Sequence, residues 1–517
     1  MTESSVPARG PNEPQHPDPS SFGVDPATGI YKHPAAAPYI QGPRPVKGSL
    51  DYLEDKEYIH NMTVEGRWPK LVVPGVSFQN IIDFNGRRYM YHYYRTRVNV
   101  YDITEPKNLK VVLEKKYEEG PEFFGAAAIA FNKKLKKWIM IQSFEVPRSG
   151  PMGLGGAKHT DPAKVAKVKS NPGLRGIKIF ELTSPIEWKQ IGEISNDPHH
   201  PHARSQEGSG SLDSPTYYGG KYAFVCAAPD NTFINQEYPS YLYSPGQLVY
   251  DVEDPANPKL VNSWWVPGQR LGEDAAYQNW RQYGNRTSWT GGRMPIVPDK
   301  PLEDGGRYGY TVMGGLGFHV LDLADPDNIK TVGSLDLPLN VGGIEGDHID
   351  ASRANERGFV FVNGYPMNED GYEPYKDVYV VDVKDPTKPT IIGTLPRPMP
   401  PKDAPYTDFV LRRGKFGPKR SAYYWHPGKA NPNLVIYPFT SAGIQLFDIT
   451  DPTKAKITAY FVGPMTDGKG GDQPTKAPVE CTAIEWDRNL IWGFTNGGLY
   501  LLSSPAMGTP NFGAPKA

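Results

Sequence analysis

Between residues 75 and 505 the chain is a succession of short runs in which apolar and polar positions alternate, the period of a strand with one buried face. One run recurs. Val100-Tyr101-Asp102-Ile103-Thr104-Glu105-Pro106 returns as Leu248 to Pro255, Val320 to Pro326, Val380 to Pro386 and Leu446 to Pro452. Two looser copies, Ile179 to Pro185 and Leu499 to Pro505, bring the total to seven. The acidic position, or its equivalent, falls at 102, 181, 251, 322, 382, 448 and 501. Repetition at a roughly fixed period is the mark of a repeat architecture.

Each copy reads as the end of a strand followed by a turn. Asp can bond the backbone N–H two residues on, and Pro presets the turn and has no N–H for a ladder. A second apolar strand precedes each copy, as in Arg88-Tyr89-Met90-Tyr91, Phe359-Val360-Phe361-Val362 and Leu490-Ile491-Trp492-Gly493. Another follows most copies, as in Lys110-Val111-Val112-Leu113. With one further segment upstream, a repeat has four strands, which is one blade of a β-propeller. The predicted fold is therefore all-β, a seven-bladed propeller. The last copy lacks a following strand. Thr63 to Gly75 ends like the outer strand of the third repeat, so an N-terminal strand is expected to close the last blade and remove its open edge.

The apolar-Tyr-Asp-Ile-Thr-Asp-Pro pattern, followed by Lys-Pro and an apolar strand, resembles the LVIVD-repeat β-propeller family over about residues 75–505. The resemblance implies a propeller and no single function, because such folds carry many activities.

Composition refines this picture. The expected layout is an extended Pro-rich arm over 1–50, the propeller over 51–507 and a short tail over 508–517. The arm, with Tyr31, Tyr39 and Ile40 as anchors, is either a disordered tail or a wrap around its own propeller or a neighbouring subunit, a route to a homo-oligomer. A net charge of −1 gives no electrostatic case for nucleic acid or an anionic membrane. No run approaches the length of a membrane helix, and no basic-then-apolar leader opens the chain, so a cytoplasmic location is expected. Two cysteines are too few for a disulfide framework.

Five insertions interrupt the repeats: Pro147–Gly176, Pro229–Pro245, Glu273–Asp304, Gly364–Lys376 and Pro396–Pro418. Several are rich in Tyr, Phe and Trp. Long loops of this kind are usually functional, and they are expected to cap one face and shape a pocket there.

Chemistry is expected where the first strands of the blades meet at the axis. Counting back from each second strand places Phe78-Gln79, Glu122, the His199-His200-Pro201-His202 region, Arg293, Asp347-His348, Tyr423-Tyr424 with His426 beyond, and Glu480 there. Three readings follow. The polar ring bonds ordered water and itself. Alternatively, His202, His348 and His426 with a carboxylate bind one transition metal, namely iron, copper, zinc or manganese. Or His348 and Asp347, with Glu122 or Glu480, move protons without a metal, Tyr424 stands nearby and Arg293 orients an anionic group. The layout is similar to that of carotenoid-cleaving oxygenases and methanethiol oxidases, none of whose motifs occur in this chain. His319 and His92 lie in repeated strands and are expected to pack between blades. The functional expectation is an enzyme, an oxidoreductase or lyase if a metal is bound, acting on a small aromatic or apolar substrate at the axis. The alternative is a non-catalytic scaffold that binds a protein or peptide through its aromatic loops. No phosphate-binding loop, dinucleotide turn or nucleophile elbow is present.

Overall fold

The computed structural model describes residues 56–71, 78–94, 97–116, 123–145, 176–195, 215–227, 229, 246–270, 272–273, 275–276, 294–338, 344–366, 375–409, 415–421, 426–464, 479, 482–495 and 497–515. Two strands, β1 (Tyr58–His60) and β2 (Thr63–Trp68), precede the first blade. Blade one is the meander β3 (Phe78–Phe84), β4 (Arg87–Tyr94), β5 (Arg97–Asp102) and β6 (Lys110–Lys116). Blade two repeats it with β7 (Phe123–Asn132), β8 (Lys137–Glu145), β9 (Gly176–Ser184) and β10 (Glu187–Ser195). In blade three, β11 (Tyr222–Ala227), β12 (Gly246–Asp251) and β13 (Lys259–Trp264) are joined by a bridge from Thr216 to Phe224.

Blade four is β14 (Val297–Pro298), β15 (Tyr308–Val312), β16 (Phe318–Asp322) and β17 (Lys330–Leu335). Blade five is β18 (Ile344–Asp350), β19 (Phe359–Tyr365), β20 (Val378–Asp382) and β21 (Thr390–Thr394). Blade six holds β22 (Leu434–Pro438), β23 (Ile444–Asp448) and β24 (Lys456–Val462). Blade seven holds β25 (Thr482–Glu485), β26 (Leu490–Thr495) and β27 (Gly498–Ser503). The chain is thus an all-β, seven-bladed propeller, and each repeated motif is the third strand of its blade.

The acidic position works as the sequence implies. Asp102, Asp251, Asp322, Asp382 and Asp448 each accept the N–H two residues on, at 2.9–3.0 Å. In blades one and four this residue also pairs with the arginine that opens the second strand, Arg87 or Arg307. The proline turn then meets the outer strand of the preceding blade. A Cβ on Gly192 of β10 would lie 1.9 Å from the Pro255 carbonyl oxygen, and one on Gly333 of β17 would lie 2.2 Å from that of Pro386. Glycine is required at both because one blade's backbone rests on the next. Apolar side chains fill the remaining space in seven clusters, each shared by two neighbouring blades.

The ring closes with strands from the N-terminus, as expected and with an addition. β2 pairs antiparallel with β27, from Thr63 opposite Ser503 to Trp68 opposite Leu499. β1, not anticipated as a strand, pairs with β24 of the neighbouring blade six, Tyr58 opposite Val462. One N-terminal segment therefore covers the edges of two adjacent blades, and neither edge is left to recruit another chain.

A charged clasp holds the same seam. The Arg88 guanidinium donates to Asp83 of its own blade and to Glu485 and Asp487 of blade seven, at 2.7–2.9 Å. Trp492 Nε1 donates to Glu485 at 2.8 Å, and Arg488 donates to the carbonyl oxygens of Ile103 and Thr104. Burial alone would lower the Arg88 pKa, but the surrounding carboxylates raise it well above its ordinary value. Burial raises that of Glu485.

In an antiparallel meander, the first and third turns emerge at one end of the sheet and the remaining connections at the other. The insertions after β8, β11 and β19, and those before β14 and before the first strand of blade six, all leave from that second end. Whether they close over it lies outside the described residues. No helix among the described residues is long and apolar enough to cross a membrane.

Candidate active site

β18 is the first strand of blade five, and a register irregularity falls between Ile344 and His348. The bulge breaks simple alternation, which lets the adjacent Asp347 and His348 both stay inside. The first strand of blade six lies beside it. There Phe416 bridges to Thr440 and the Lys419 N–H donates to the Pro438 carbonyl, so residues 416–420 run alongside the end of β22. This corrects the count that put Tyr423-Tyr424 at the start of that strand. The connection to β22, which contains His426-Pro427-Gly428, is longer than in other blades and shifts the strand upstream. Tyr424 itself lies outside the described residues.

The shift brings Lys419 and Arg420 against Asp347 and His348. None of the four is more than 2% exposed. Arg420 Nε lies 2.6 Å from His348 Nε2. A guanidinium only donates, so Nε2 accepts and the imidazole carries its proton on Nδ1. Nδ1 lies in close contact with Oδ2 of the Asp347 carboxylate. The same carboxylate oxygen, Oδ2, takes Lys419 Nζ at 3.0 Å. Lys419 Nζ also stands 3.4 Å from the centre of the Tyr365 ring, a cation–π contact, and Lys415 Nζ donates to the Tyr365 hydroxyl at 2.8 Å. The result is a carboxylate–imidazole pair with a fixed tautomer, flanked by two desolvated cations. Removing charges from water is costly, and arrangements of this kind concentrate at functional sites.

His426 is also buried, but it is held differently. Its Nδ1 accepts the Ile484 N–H of β25 at 2.9 Å, so the proton sits on Nε2. Burial pushes its pKa down to about 3. His319 bonds the Leu316 carbonyl at 3.0 Å and meets Trp264 of blade three edge-on, and burial lowers its pKa to about 4. His92 lies fully buried 4.0 Å from the Phe494 ring of blade seven. Both pack between blades.

Of the residues singled out in the sequence, the structure brings Asp347 and His348 together and sets His426 on the blade six–seven side. Glu122, His202, Arg293, Tyr424 and Glu480 lie outside the described residues. Lys419 and Arg420 were missed. A Lys-Arg pair in a loop reads as solvated surface, and only the position of the first strand of blade six reveals them. Among the described residues no three His, Cys, Asp or Glu side chains gather as metal ligands. Nε2 of His348 and Nδ1 of His426 already bond protein groups and Nδ1 of His348 lies against Asp347, so metal ligation by His348 would require it to move away from Arg420 or Asp347.

No protein-family model matches the sequence, and no curated protein matches it. Many solved structures match the chain, and two serve as examples. A periplasmic gluconolactonase, PpgL, of Pseudomonas aeruginosa is 13% identical with a TM-score of 0.46, covering 85% of this chain and 98% of its own. A functionally unknown protein from Desulfotomaculum acetoxidans DSM 771 is 9% identical with a TM-score of 0.38, covering 75% of this chain and 89% of its own. Likeness at this level says nothing about chemistry.

Proposed function

We propose that the protein is an enzyme acting on a small organic molecule with an apolar body and an anionic group, and that it transfers a proton at His348 Nε2. The observation that carries this reading is the burial of Asp347, His348, Lys419 and Arg420 in one cluster on the first strands of blades five and six. Arg420 fixes the tautomer by donating to Nε2, and the nearby Asp347 carboxylate steadies the imidazolium that forms. In the ligand-free arrangement Arg420 occupies the basic nitrogen. An anionic substrate group is a stronger partner for a guanidinium than a neutral imidazole is, because the bond is charge-assisted on both sides. Its arrival would draw Arg420 away and free Nε2 as a general base beside the bound substrate. A metal-dependent version of the same site would need His348 released in the same way and ligands from beyond the described residues. The scaffold reading draws no support from the described surface, where exposed large apolar side chains are few and scattered.

The test is a panel of small organic acids and their neutral amides, read by thermal shift and calorimetry on the full chain. At least one acid should stabilise the wild type more than its amide. Arg420→Gln should lose that preference, and His348→Gln should keep binding while losing turnover. If wild type, Arg420→Gln and His348→Gln respond alike to every probe, the reading is wrong.

A further inference from the structure

At the end of the propeller where the first and third turns emerge, a hollow of about 290 Å³ opens between the first turns of blades two, three and four. That volume is near the lower limit for small-ligand pockets. Phe131 forms one wall, and at 43% exposure it is among the most exposed large apolar side chains described. Its ring is held edge-on to Trp138 at 5.5 Å. Tyr218 and Pro301 complete the apolar lining.

The floor is rigid for reasons visible in the backbone. Gly219 has φ of +92°, and a Cβ there would lie 2.3 Å from the Phe131 carbonyl oxygen. A Cβ on Gly220 would lie 1.5 Å from Glu303 Oε1, the atom that accepts the Lys221 N–H at 2.8 Å. The turn of blade three is therefore clamped between its neighbours, and the hollow exists before any ligand arrives. Preformed sites bind with less ordering cost.

Three of the six charged residues in the lining are ion-paired, and Glu303 accepts the Lys221 N–H. Lys134 meets Glu253 at 2.5 Å and Lys221 meets Asp251 at 3.4 Å. Lys133 on the blade-two lip and Asp304 on the blade-four lip have no ion-pair partner among the described residues. An aromatic bed with a cation on one lip and an anion on the opposite lip matches one simple ligand class. We infer that the hollow binds an aromatic amino acid, its ring against Phe131, Tyr218 and Pro301, its carboxylate toward Lys133 and its ammonium toward Asp304. The site is independent of the cluster between blades five and six and lies at another place on the ring.

The test uses L-phenylalanine, L-tyrosine and L-tryptophan as probes, with phenethylamine and 3-phenylpropanoate as partners that each lack one charge. Ligand-observed NMR and calorimetry on the full chain should show saturable binding of at least one amino acid, tighter than either partner. Phe131→Ala should weaken it about fivefold. Lys133→Gln should bring phenethylamine level with the amino acid, and Asp304→Asn should do the same for 3-phenylpropanoate. All three positions are on the surface, and unchanged thermal melting would verify their folding. The proposal is overturned if none of the three amino acids saturates, if the three substitutions leave binding unchanged, or if binding is lost in Arg420→Gln instead.

Discussion

Two buried charge clusters sit between neighbouring blades, and they are built for different purposes. Between blades seven and one, Arg88 and Arg488 pair with Asp83, Glu485 and Asp487, Trp492 donates to Glu485, and the Ile103 and Thr104 carbonyls accept from Arg488. Between blades five and six, Asp347, Lys419 and Arg420 surround a group that can gain or lose a proton. The first arrangement has nothing to do but hold a seam. The second places an imidazole where its basic nitrogen is occupied by a displaceable donor. Buried charge alone therefore does not mark a site; a titratable group at its centre, with a partner that another ligand can claim, distinguishes it.

The largest expected effect lies at the clasp. Arg88→Met removes a partner shared by three carboxylates and leaves buried Glu485 with Arg488 as its remaining cation, which should cost about 3–5 kcal/mol. Urea unfolding measures it, and ligand binding at the blade five–six cluster should be unchanged in the folded variant. A loss under 1 kcal/mol would remove the distinction drawn between the clusters.

The next effect concerns the buried histidines. His426 and His319 are held at about 3 and about 4, below the ordinary value of 6.5. The folded state keeps them neutral while the unfolded chain protonates them, so the unfolded state binds more protons between these values. The stability they contribute is present above about pH 6.5 and is lost as the pH falls toward 4 and 3. At pH 5 the loss is on the order of 2 kcal/mol for each. Urea midpoints at pH 7.5 and 5 should show it, and His426→Gln should shallow the difference. An unchanged difference would mean that His426 titrates in the folded protein.

The smallest effect is the sharpest contrast. Asp347→Asn with Lys419→Met removes a buried pair while leaving an acceptor for the His348 Nδ1–H. Stability should stay within about 1 kcal/mol of wild type, because replacing both members of a buried pair is often neutral. A loss as large as that of Arg88→Met would make the blade five–six cluster another clasp.

The fold was legible because its signal is local and repeated. An Asp that bonds the N–H two residues on, at 102, 251, 322, 382 and 448, needs no distant partner to be recognised. The missing outer strand of blade seven was legible as a deficit, and Thr63 onward filled it. β1 was not, because three residues of which only Tyr58 is buried carry no periodicity. The site was half legible. Asp347 and His348 stood out as a polar pair at a predicted axial position. Lys419 and Arg420 did not, since their burial depends on where the long connection of blade six begins, and spacing in the other blades gives no measure of it.

The N-terminal closure also sets a clock. Thr63 is opposite Ser503, and Arg88 reaches Glu485, so neither contact can form until nearly the whole propeller has been synthesised. At ribosomal rates the early strand waits roughly 20 to 90 s for its partner. Until then, the blades already made form an open arc with an unpaired end. Premature termination before blade seven leaves β2 without its partner and the Arg88 guanidinium without Glu485 and Asp487, and termination before β24 leaves β1 unpaired as well. The seam thus reports that all seven blades have been made, and a closed ring is the product in which every one of those groups is satisfied.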